Sequence, residues 1–176
     1  MRMVRLITSI VFLFTATQLF AQQYLVNNGE ISFFSEAPME DITAINNKVS
    51  AVYDNDTKQL VFQLDIKDFI FPKALMQEHF NENYLESDIY PKSIFSGKVI
   101  SQDGKNTIVA GDLTIHGKTN KIKVEGILKK EKRVVNISAE FTVKLEDYDI
   151  EIPKIVMYKI AEEIEVQVNI ELKEIE

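Results

Sequence analysis

The stretch Glu163-Ile164-Glu165-Val166-Gln167-Val168-Asn169-Ile170-Glu171-Leu172 decides the fold. Apolar and polar residues alternate without a break. Successive side chains of an extended chain point to opposite faces, so this is a strand with one dry and one wet face. The same pattern recurs at Val135, Ile137, Ala139, Phe141, Val143 and Leu145, and again at Leu60, Phe62, Leu64 and Ile66. Shorter versions are Ile31 with Phe33, Val49 with Ala51 and Tyr53, Phe95 with Gly97 and Val99, Leu113 with Ile115, and Ile122 with Val124. Turn chemistry separates them: Asp54-Asn55-Asp56, Asp103-Gly104-Lys105 and His116-Gly117-Lys118-Thr119-Asn120. Strands joined by short polar turns make antiparallel hairpins, not crossovers through helices.

One segment departs from period two. Over residues 72–84, Met76, Phe80 and Tyr84 recur four apart beside Leu75 and His79, and Pro72 suits a first helical turn. The spacing predicts one short amphipathic helix that must bury its stripe against strands, at one end of the sheet. Residues 148–161, with Pro153, read as an ordered loop with room for a helical turn. About eight antiparallel strands must hide their edges, and closure into a barrel does so completely. The expected architecture is therefore all-β, an eight-stranded antiparallel barrel with one short helix. Its candidate lumen residues are Phe33, Phe62, Leu64, Phe95, Ile115, Ile137, Ala139, Phe141, Val166 and Val168, with Met76, Phe80 and Tyr84 at the mouth. An eight-stranded barrel holds either packed side chains or one small ligand, and periodicity leaves both open.

The amino terminus reads differently. Arg2 and Arg5 precede an apolar run over residues 6–14, broken only by Thr8 and Ser9, and small polar residues follow. This is the pattern of a secretory signal peptide over residues 1–21, cut between Ala21 and Gln22. The run is too short to span a bilayer comfortably. Residues 22–176 then form one domain, periplasmic or secreted, with no stable membrane insertion after cleavage. Losing Arg2 and Arg5 takes the formal charge from −7 to −9.

Composition narrows the function. Twenty basic against 27 acidic residues in 176 argue against nucleic acid, whose binding needs a basic face. The absence of cysteine removes disulfides, zinc–thiolate sites and a cysteine nucleophile. No Gly-x-Ser-x-Gly elbow or glycine-rich phosphate loop occurs. His79 and His116 are the only histidines and read as ordinary polar or packing residues, not as metal ligands. Asp54-Asn55-Asp56-Thr57 lacks the glycine and terminal glutamate of a calcium loop and reads as a turn. No catalytic centre and no cofactor or metal site are expected.

Four stretches carry a resemblance. They are residues 76–97 with the Tyr90-Pro91 pair and Phe95, then Gly111-Asp112-Leu113-Thr114-Ile115-His116-Gly117-Lys118-Thr119, then residues 141–153 from Phe141 through Asp147-Tyr148, and residues 159–168. In order and spacing they resemble the YceI-like family of exported bacterial proteins over most of residues 24–172. The resemblance implies a lipocalin-like barrel with an amphipathic helix near its mouth. It also implies that the lumen binds a long apolar chain of polyisoprenoid or quinone type. The leading expectation is an exported carrier or buffer of such a lipid. Its rivals are a non-catalytic structural or interaction module with a packed barrel, and a hydrolase or isomerase using His79 or His116 with nearby carboxylates.

Overall fold

The computed structural model describes residues 22–36, 41–152 and 161–175. The expected signal peptide lies outside the described residues, as does the Pro153 end of the expected loop. Among the described residues nine strand segments occur: β1 (Gln23–Ser35), β2 (Ile42–Asn46), β3 (Ser50–Asp54), β4 (Gln59–Asp65), β5 (Lys92–Asp103), β6 (Asn106–Ile115), β7 (Lys118–Glu131), β8 (Val134–Lys144) and β9 (Glu163–Glu174). They pair antiparallel in the order β2-β1-β3-β4-β5-β6-β7-β8-β9, and β1 also pairs with β9, which closes the sheet. Both β2 and β3 lie against β1 in one register, with Ile31 opposite Asn46 and Leu25 opposite Val52. They are thus two halves of one broken stave, and the structure is a closed, eight-stave, lipocalin-like barrel.

Asn46 holds the break together. Fully buried, it donates from Nδ2 to the Asp65 carbonyl at 3.0 Å and accepts the Lys48 N–H at 2.8 Å. A buried amide left unpaired would cost about 1–3 kcal/mol, and here both ends are used. A second irregularity sits in β1. Val26 faces Leu172 while Asn28 faces Glu171, so Asn27 is an extra residue. A bulge of one residue switches which parity faces inward. Tyr24 is therefore buried on one side of it, and Ile31, Phe33 and Ser35 point to the interior on the other.

The helical segment lies between β4 and β5. Helix α1 (Ala74–His79) continues into a wider π-helical turn over Phe80–Tyr84, where the Leu85 N–H reaches the Phe80 carbonyl at 2.9 Å. The helix starts two residues later than the sequence suggests. Pro72 disfavours helical backbone at the residue before it and sits ahead of the N-cap Lys73, itself extended at φ −121°. Six residues make a marginal helix alone. Met76, Phe80 and Tyr84 pack it onto the barrel interior. A 3₁₀ turn over Leu145–Tyr148 leads into the expected loop, so Leu145 ends the run of β8 as a turn residue.

The short polar sequences make the hairpins. In the β3–β4 turn, the Asp54 carboxylate accepts the Asp56 N–H at 3.0 Å and the Thr57 N–H at 2.8 Å. The hydrogen bond from the Thr57 backbone is the main reason its pKa lies below the ordinary carboxylate value. A carboxyl with a depressed folded pKa contributes stability that is present above its unfolded pKa and lost as pH falls through the folded one. Asp54→Asn is therefore expected to lower stability near neutral pH and leave it little changed below the folded pKa, so the acid limb of a stability–pH curve flattens. Urea midpoints measured across the acid range check this.

Candidate functional site

The two ends of the barrel differ. At the end bearing the β3–β4, β5–β6 and β7–β8 turns, Tyr24, Tyr53, Leu60, Val135 and Leu172 are each no more than 2% exposed and fill the interior. The Tyr24 and Tyr53 rings lie 6.2 Å apart, and burial raises the Tyr53 hydroxyl above the ordinary phenol pKa. Lys130 Nζ lies 5.3 Å from the Tyr24 ring centre. This end is a packed floor.

Above the floor the staves surround a cavity of about 550 Å³, within the range of small-molecule sites. The structure places Phe33, Phe62, Leu64, Phe95, Ile115, Ile137, Ala139, Phe141, Val166 and Val168 in its wall. Met76, Phe80 and Tyr84 also border it, beneath the helix at the opposite end from the floor. The interior is thus neither wholly packed nor wholly open. Small residues set its depth: Gly126 faces Ala139 across β7 and β8. Asn136 and Glu140 face solvent, as alternation requires, but Ser138 is half-buried and borders the cavity beside this pair.

The sequence reading missed the aromatic lid. Phe80 stacks on Phe33 at 5.5 Å and meets Phe71 at 4.9 Å and Phe69 at 5.6 Å. Phe69 and Phe71 precede Pro72 in an apolar run that has neither strand nor helix period. Ile70 between them bridges Ile45 of β2, N–H to carbonyl at 2.9 Å, and so fixes both neighbouring rings inward. A second aromatic solves a different problem. Gly97 and Gly111 face each other across β5 and β6, and the Phe95 ring lies over both, 2.4 Å and 2.9 Å from where their Cβ atoms would stand. No side chain fits there, so the ring covers bare backbone.

The wall offers almost no polarity. Among the described residues, no Asp, Glu, Lys or Arg borders the cavity. Three wall hydroxyls are committed to backbone: Ser93 donates to the Thr114 carbonyl at 3.0 Å, Thr107 to the Lys105 carbonyl at 3.2 Å, and Ser35 accepts the Ala161 N–H at 3.0 Å. Burial raises the Tyr84 hydroxyl above its ordinary pKa. A guest with charges or several hydroxyls would lose its water and gain few bonds, at several kcal/mol. Among the described residues no cluster of three or more His, Asp or Glu could hold a metal. No described helix is long and apolar enough to cross a membrane.

The histidines separate. His79 stands at the rim of the cavity. His116 opens the β6–β7 turn outside the cavity. Its Nε2 meets Glu86 Oε2 at 2.9 Å, its Nδ1 meets the Tyr148 carbonyl at 3.2 Å, and the Tyr90 ring lies edge-on at 4.5 Å.

A closed barrel with a packed floor, an apolar chamber and a helical lid defines a class of small-molecule-enclosing β-barrels. Within that class the chain belongs to the YceI-like family, whose domain model matches residues 25–172. Solved structures share the fold at low identity. The chain is similar to BcnA of Burkholderia cenocepacia, with TM-score 0.73, 14% identity, and 81% of this chain and 95% of that one covered. It is similar to a structure described as a polyisoprenoid binding domain from Saccharophagus degradans, with TM-score 0.74, 12% identity, and 88% and 99% covered. It is also similar to the YCEI protein of Campylobacter jejuni, with TM-score 0.63, 20% identity, and 73% and 82% covered. Among curated proteins none matches this chain.

Proposed function

We propose that this protein is an exported carrier or buffer that buries the apolar chain of a long lipid of isoprenoid or quinone type. The observation that carries the reading is the chamber itself: about 550 Å³, with largely apolar walls and with the hydroxyls of Ser35, Ser93 and Thr107 bonded to backbone. Family membership and the likeness to the Saccharophagus degradans structure described as a polyisoprenoid binding domain support it. Binding would be burial without chemistry. Each buried methylene contributes roughly 0.8 kcal/mol. Micromolar affinity needs about 8 kcal/mol, and association costs at least about 4 more, so some 15 to 20 carbons suffice. The histidines support a binding protein over an enzyme. His116 spends both ring nitrogens on contacts outside the chamber, and His79 bonds no carboxylate among the described residues. Export rests on Arg2, Arg5 and the apolar run at residues 6–14.

Native mass spectrometry of protein purified without detergent, followed by organic extraction, tests the reading. The expected result is a chain beginning at Gln22 that carries about one equivalent of a lipid of 15 carbons or more. Empty protein that also fails to take up added prenyl lipids would overturn the carrier reading.

A further inference from the structure

The His116 contacts carry a consequence for the mouth of the chamber. Both partners of the ring are acceptors, since a carbonyl has no proton to give and a carboxylate has none when ionised. Two acceptors on two ring nitrogens are satisfied together only by imidazolium beside carboxylate, or by neutral imidazole beside a protonated carboxyl. With the carboxylate ionised, only the protonated ring supplies a hydrogen to both acceptors.

Each member of the cluster sits next to the chamber wall. His116 follows Ile115, Glu86 follows Leu85, and Tyr148 lies between Leu145 and Ile150; all four apolar residues border the cavity. Leu85 ends the helical lid that begins at α1. The side-chain exposure is 11% at His116 and 44% at Glu86, so the ring is held in and the carboxylate stands at the edge. Three of the five described non-glycine residues with left-handed backbone surround it: Glu86 at φ 41°, His116 at 51° and Asp149 at 54°. Such conformations persist only where surrounding contacts hold them. The other charged or titratable groups on the three segments are Asp88, which bonds Lys67; Tyr90; Lys118 with Asp149 at 2.8 Å; and Glu146 and Asp147. Neither exposed ion pair involves the ring.

We propose that His116, Glu86 and the Tyr148 carbonyl form a proton-operated latch that ties the lid to the barrel rim, closed with imidazolium and loosened when the ring loses its proton. Its meaning for cargo rests on the carrier reading; the latch itself does not. Acid would favour retention of the cargo, and rising pH its release.

The test uses the full mature chain with N-phenyl-1-naphthylamine as an apolar fluorescent probe. Probe dissociation and amide exchange at Ile89 and Tyr90, whose N–H groups bond the Glu86 carbonyl at 2.8 and 2.9 Å, are followed at about pH 5.5 and about pH 8. After correction for intrinsic exchange, both rates are expected to rise about three- to tenfold at the higher pH, the loss of one partly exposed charged hydrogen bond. Glu86→Gln is the decisive variant, because its amide can donate to a neutral ring. It is expected to remove the pH dependence while leaving lid protection intact at pH 8. The same dependence in Glu86→Gln as in the native chain, or no dependence in native exchange, overturns the latch. A probe that never binds while exchange follows the expected pattern overturns the carrier reading and leaves the latch standing.

Discussion

Ala139→Trp is expected to empty the barrel of co-purified lipid while the protein still folds. Ala139 lies in the chamber wall opposite Gly126, a pair of small residues. The indole projects into space that a ligand would otherwise fill. In a filled core an insertion of this size costs about 1–3 kcal/mol or more, because neighbours must leave their rotamers. A chamber of about 550 Å³ absorbs it, so the cost is expected to stay within about 1 kcal/mol. Glu140→Trp is the control, one residue along the same strand and exposed to solvent. It should keep both stability and lipid. Extracted lipid per chain and the urea midpoint read the two effects separately. Retained lipid in Ala139→Trp, or its unfolding, would show that no ligand occupies this level of the barrel.

The staves were legible because alternation is a local consequence of extended backbone. From Val135 to Val143 and from Ile164 to Leu172, every apolar residue faces inward. The helix stripe was legible for the same kind of reason, a period of nearly four. What escaped the sequence was set by contacts between distant segments. Asn27 looks like any strand residue until β9 skips it, and only then does the inward parity of β1 change. Asn46 and Asp65 are 19 residues apart, so nothing local marks the break between β2 and β3 as a satisfied one. Phe69 and Phe71 belong to no periodic run, because one bridge from Ile70 to Ile45 orients them. His116 reads as the opening of a turn. Its two acceptors come from residues 30 and 32 positions away, brought together only by closure of the rim.

The floor is where the largest loss of stability is expected. Leu172 has no exposed surface and packs in the cluster with Tyr24, Tyr53, Leu60 and Val135. Truncation to alanine there removes apolar contacts and leaves a new void, for a loss of about 3–5 kcal/mol. Leu64 is the matched comparison: the same residue type, 7% exposed, but already facing the chamber. Its truncation enlarges an existing cavity and leaves fewer atoms without partners, so a loss of about 1–2 kcal/mol is expected for the empty protein. Ligand changes the comparison. Lipid that touches Leu64 stabilises the native chain by mass action, and the variant gives up part of that contact. The gap between the two variants should therefore narrow when lipid is present and widen after extraction. Urea unfolding of both variants, before and after organic extraction, measures it. Equal losses at Leu64 and Leu172 in extracted protein would mean that the chamber collapses when empty, because only a filled interior penalises the two sites alike.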